Sequence, residues 1–156
     1  MPVRTLFLAC TILPAVVSVA LANPPVHDTA LFIQSAFMSE APVGYWDGDA
    51  EHPPTFSFYM RPEPWQAGTD RLRNDGAMLL GCVAPMLMAR FGLGIPHLSA
   101  QNGSAYHYQI KVVSPPPGGP TTLVAEGRVD TGSCAPSRAV QQQFLDLLFP
   151  EEHRQL

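Results

Sequence analysis

Lysine is almost missing from this chain of 156 residues, with Lys111 the only one, and charged residues make up 14% of the whole. Nine Lys and Arg stand against 13 Asp and Glu, for a net charge of -4. No basic run exists that could follow a phosphate backbone or seek an anionic membrane surface, so nucleic acid is excluded as a partner on charge grounds. Cysteine is also scarce, at three, and no Cys-x-x-Cys or paired His spacing accompanies any of them, which removes the usual zinc patterns. The motifs of nucleotide and hydrolase sites are lacking too. Gly92-Leu-Gly94 has no third glycine, Gly76-x-x-x-x-Gly81 runs into Cys82 instead of lysine, and Gly-x-Ser-x-Gly does not occur. No cofactor is implied.

Apolar residues, at 46%, are plentiful, as are proline (17) and glycine (12). A chain of this size and hydrophobicity forms one ordinary domain and is not intrinsically disordered.

The first 22 residues have the pattern of a secretory signal. Arg4 precedes the mostly apolar run Leu6 to Val19, and Ala20-Leu21-Ala22 supplies the small residues of a cleavage site. As a helix the 14-residue run rises about 21 Å, short of a hydrocarbon core about 30 Å thick, so no stable membrane anchor is expected after cleavage. Cleavage after Ala22 takes Arg4 away and leaves eight basic against 13 acidic residues, a net charge of -5 over 134 residues. The expected destination is periplasmic or secreted, with a mature domain over 23–156. In that oxidising compartment Cys82 and Cys134 are the natural disulfide pair, since Cys10 leaves with the signal.

Along the mature chain, Asn23-Pro24-Pro25 reads as an extended lead-in to a helix over Asp28 to Ser39, with Asp28 as N-cap and Leu31, Ile33, Phe37 and Met38 apolar. Residues 41–54 are rich in Gly, Pro and acidic side chains and read as a loop, completing an N-terminal segment over 23–54. The remainder, 55–156, reads as an α+β core. Phe56, Phe58 and Met60 alternate with Ser57, Tyr59 and Arg61, a strand that Pro62, Pro64 and Gly68 should end. Leu72, Leu79, Val83, Leu87 and Phe91 mark a long buried helix over Thr69 to Phe91, with Pro85 expected to bend it and Gly92 and Gly94 to stop it. Residues Tyr106 to Val113 and Thr122 to Val129 alternate as a hairpin joined by a proline-stiffened tip. A last helix opens at Pro136, buries Val140, Phe144, Leu147 and Leu148, and closes at Pro150. The predicted fold is thus α+β, with a small antiparallel sheet, strand plus hairpin, packed against the long helix and the C-terminal helix.

In element order, the stretch from Thr69 to Pro150 resembles the C-terminal domains of TonB and TolA, periplasmic modules that bind other proteins. That resemblance implies a protein-binding role.

Candidate functional residues are few. Tyr45, Trp46 and Trp65 lie among Gly, Pro and acidic residues, where aromatic rings offer a rigid contact surface for an unknown protein or small ligand. Asp47, Asp49, Glu51 and His52 approach the density of a calcium loop. An EF-hand starting at Asp47 would need Gly at position 52 and Glu at position 58, where the chain has His52 and Phe58. No metal site is assigned. Asn102-Gly103-Ser104 fits a glycosylation sequon. The expectation is an exported small soluble accessory or binding protein without catalytic activity. The alternative is a small secreted hydrolase pairing His107 or His52 with Asp49 or Glu126.

Overall fold

The computed structural model describes residues 24–39, 42–90, 92, 105–115, 118–130 and 133–150. The expected signal segment, Phe91, Gly94 and the Asn102 sequon lie outside them. Helix α1 (Pro24–Ala36) starts four residues before the expected Asp28. Pro24 and Pro25 open the helix instead of leading into it, because the first turn has no intrahelical use for the N–H groups they lack. The buried Thr29 donates its hydroxyl to the Pro25 carbonyl at 2.5 Å, and Asp28 is an exposed residue inside the helix. Val26, Ala30, Ile33 and Ala36 form the buried stripe. Leu31, expected to share it, is 51% exposed, since two helical steps turn it roughly 200° away from Ile33.

Residues 41–54 are not all loop. Strand β1 (Val43–Trp46) pairs antiparallel with β2 (Thr55–Met60), Tyr45 opposite Phe56 and Trp46 opposite Thr55. Phe56, Phe58 and Met60 are fully buried, as their alternation predicted. The prolines that end β2 also begin a short helix, α2 (Pro62–Ala67), which fits their preference for a first turn. Arg73 donates to the carbonyls of Trp65, Gln66 and Gly68, placing a cation at the C-terminal end of that helix, where its dipole favours one.

Helix α3 (Asp70–Arg90) runs through Pro85 without interruption, with Leu79, Val83 and Leu87 buried. It carries the chain across one face of the sheet to β3 (Ala105–Val113), which therefore lies parallel to β2. Strand β4 (Thr121–Asp130) returns antiparallel to β3. The sheet, ordered β1-β2-β3-β4, is consequently mixed and not wholly antiparallel. A crossover helix between two strand pairs forces that one parallel contact.

Helix α4 (Arg138–Leu148) is capped by Ser137, whose hydroxyl accepts from the Val140 N–H at 3.3 Å, so Pro136 lies just before the cap and not in the first turn. Phe144, Leu145 and Leu148 are buried, and Arg90 meets Asp146 at 2.6 Å where α3 and α4 come together. Cys82 and Cys134 form a disulfide with Cα atoms 5.9 Å apart, fastening α3 to the segment between β4 and α4. Closing a 52-residue separation removes unfolded-state entropy worth roughly 4 kcal/mol before native strain.

The buried strand residues, Phe56, Phe58, Met60, Tyr106, Ile110, Val112 and Val129, all point to the helical side. The opposite, outer face carries the alternate set: Thr55, Ser57 and Tyr59, then His107, Gln109 and Lys111, then Glu126 and Arg128. These side chains are half-buried or exposed.

Candidate functional site

Of the three aromatics singled out by sequence, the structure separates one from the other two. Trp65 sits on α2, is 4% exposed and packs its ring 5.5 Å from that of Phe32. Its proline-rich surroundings suggested a loop, but they make the first turn of a helix whose one buried residue is this tryptophan. Trp65 is a core residue and shares no surface with the others.

Tyr45 and Trp46 are neighbours on β1 and therefore point to opposite faces of the sheet. Tyr45 turns inward, with ring centroid 5.0 Å from Phe56, and its hydroxyl donates to Asp47 Oδ1 at 2.7 Å. Burial, followed by the carboxylate of Asp47, raises the phenol's pKa well above its ordinary value. Trp46 turns outward and is 49% exposed.

The turn after Trp46 is built around one carboxylate. Asp49 Oδ1 accepts from the backbone N–H groups of Glu51 and His52, each at 2.8 Å, and lies 2.9 Å from His52 Nδ1. The Asp49 N–H donates back to the His52 carbonyl at 3.0 Å, and Gly48, at φ +83°, makes the bend. The Glu51 N–H chiefly, with the His52 side chain and N–H after it, holds the Asp49 carboxyl below the usual range. This arrangement fixes the His52 ring 6.1 Å from that of Trp46. Among the described residues no three His, Cys, Asp or Glu side chains are grouped to hold a metal ion.

The hydrolase alternative required a His and a carboxylate in contact. His52 and Asp49 do touch, but both are more than half exposed, and the same Asp49 oxygen is already taken up by two backbone donors. His107 stands opposite Arg128 in the strand register, whereas Glu126 stands opposite Gln109, so the sheet does not set His107 directly across from Glu126.

Register brings together what sequence reading left apart. Trp46 is opposite Thr55, Thr55 opposite His107, and His107 opposite Arg128, one transverse row across all four strands on the outer face. His52 joins it beside Trp46. Alternation within each strand places His107 on the face away from Tyr106 and Arg128 on the face away from Val129. Their alignment with Trp46 depends on the β2–β3 pairing, which joins Thr55 to His107 across 52 residues and which no local signal encodes. Apart from this row, a cleft of about 250 Å³ lies beside the disulfide and is lined by Met78, Tyr108, Arg128 and Asp130 among others.

No described helix is long and apolar enough to cross a membrane. The disulfide is consistent with an oxidising, extracytoplasmic location. Comparison with protein-family models, curated proteins and solved structures finds no match to this chain, and the resemblance to the TonB and TolA domains rests on element order alone.

Proposed function

We propose that the mature chain is an exported, noncatalytic binding module that engages its partner through the outer face of the sheet, at the end marked by Trp46. The observation that carries this reading is the transverse row Trp46, Thr55, His107 and Arg128 on the face left uncovered by the helices. The row joins a half-exposed indole, held beside His52, to an arginine, and Trp and Arg are the residue types that dominate interface energetics. Export is supported by the Arg4, Leu6 to Val19 and Ala20-Leu21-Ala22 pattern together with the disulfide.

The test is affinity capture from the extracytoplasmic fraction of the producing cell, using the mature chain and its Trp46→Ala and Arg128→Ala variants. Each replacement should weaken capture of the same partner by more than about tenfold, the scale of an interface hot spot, and leave the melting temperature nearly unchanged. Capture indifferent to both replacements would remove the row from the reading. A reproducible turnover lost on His52→Ala would favour the hydrolase instead.

A further inference from the structure

We propose that the edge of β4, unpaired among the described residues, is a self-complementary docking strand through which two copies of this chain associate about a twofold axis, merging two four-stranded sheets into one. This inference shares Arg128 with the row of the Trp46 reading but does not rest on it, since the order of charges along β4 carries it and not the alignment across the sheet.

Edge strands invite pairing, and folded proteins ordinarily blunt them by shortness, bulges or charge. The β1 edge is four residues long. The β4 edge has ten, with Leu123 and Val124 exposed. A register shift divides it: Ala125 faces Ile110 but Leu123 faces Lys111, so Val124 is the extra residue of a bulge. On the far side of that bulge Ala125 to Asp130 pairs regularly with Ile110 back to Ala105. Six regular residues are therefore available to a partner strand.

Their order is what selects the partner. Pairing two copies antiparallel about an axis through Gly127 sets Glu126 against the partner's Arg128, and Arg128 against the partner's Glu126, on the outer face. On the helical face it sets Ala125 against the partner's Val129, and the reverse. Opposed side chains in such a ladder have Cβ atoms about 5 Å apart, close enough for unlike charges to attract and like charges to repel. Glycine at the axis brings no side chain to the crossing point. Moving the axis one residue either way opposes glutamate with glutamate or arginine with arginine, so the charges disfavour both neighbouring registers; an axis through Val129 would pair Arg128 with the partner's Asp130 and leave Glu126 out, a register that E126R would not weaken. Both charged residues are exposed, and Arg128 has Asp130 of its own strand at 3.5 Å, an arrangement that leaves it on the surface.

The experiment is sedimentation velocity and light scattering on the mature full chain over a concentration series. Wild-type protein should move from the mass of one chain to that of two. E126R and R128E should each weaken association by about tenfold or more, because each opposes like charges twice. Mixing the two single variants, or combining both changes in one chain, should restore it, since unlike charges again face one another. Melting temperatures equal to wild type at concentrations too low for association would confirm that the variants are folded, and amide exchange at residues 125–129 should slow with concentration in wild type alone among the unmixed wild-type and single-variant samples. A single-chain mass at every concentration overturns the proposal, as does a dimer insensitive to the single reversals or a mixture no tighter than its components.

Discussion

Tyr106 donates its hydroxyl to the carbonyl of Gly81 at 2.7 Å, with the Cys82 carbonyl at 3.4 Å. In an unbroken helix the Gly81 carbonyl would accept from the N–H of residue 85, and Pro85 has none. The phenol from β3 thus meets the acceptor that proline leaves open in α3. Tyr106 is fully buried, edge-on to Phe56 at 5.1 Å, so each group would otherwise lose water without gaining a partner. Burial, with a smaller contribution from Tyr108, keeps this phenol protonated well above its ordinary pKa.

Tyr106→Phe should therefore cost about 1 to 3 kcal/mol in urea unfolding, the penalty of a buried acceptor left unmet. The informative measurement is the cycle with Pro85→Ala. An alanine at position 85 restores the N–H, so in that background the Tyr106→Phe loss should shrink by about 1 kcal/mol. Equal losses in both backgrounds would mean that the hydroxyl and the proline are unconnected.

Two glycines of α3 should respond differently to alanine. A Cβ on Gly81 would strike the ring of Tyr108, which cannot retreat because a Cβ-free Gly127 already lies against its other side, where an added Cβ would stand 2.6 Å from the ring. Overpacking of that kind costs about 1 to 3 kcal/mol and outweighs the roughly 1 kcal/mol gain of replacing a helical glycine. At Gly76 the nearest atom is the terminal methyl of Ile33, 2.6 Å from the added Cβ, at the end of a chain that can rotate. Thermal denaturation should place Gly81→Ala well below wild type and Gly76→Ala close to it. Reversed order would show that Ile33 is the immovable neighbour.

These contacts mark the boundary of what periodicity could reveal. The alternation of Phe56, Phe58 and Met60 and the four-residue spacing of Leu79, Val83 and Leu87 named core residues correctly, because burial on one face imposes its period directly on the chain. The disulfide followed from compartment and from the parity of two remaining cysteines. Strand β1 was hidden by its composition: Val43-Gly44-Tyr45-Trp46 is too short for a periodic signal, and pairing with β2 overrides its glycine. Trp65 misled because proline marks both loops and first helical turns. The outer row was illegible for a different reason: strand register is a property of pairs, and a sequence lists residues one at a time.

The turn that holds His52 beside Trp46 should be sensitive to acid. Asp49 is an exposed carboxylate whose charged form accepts from the Glu51 and His52 N–H groups, which lowers its pKa in the folded chain. A group depressed on folding adds stability that is present above its unfolded value, near ~3.9, and is lost as pH falls through the lower folded value. The turn should accordingly stay intact down to about pH 4 and open below it. Amide proton shifts of Glu51 and His52 report this directly, and they should titrate together with a midpoint below that of an ordinary aspartate. Asp49→Asn should abolish the shared titration while leaving the Tyr106 and Tyr108 resonances of the core in place. A midpoint at or above the ordinary value would show that the two N–H groups do not favour the charged carboxylate, and the turn would then need another reason to hold its shape.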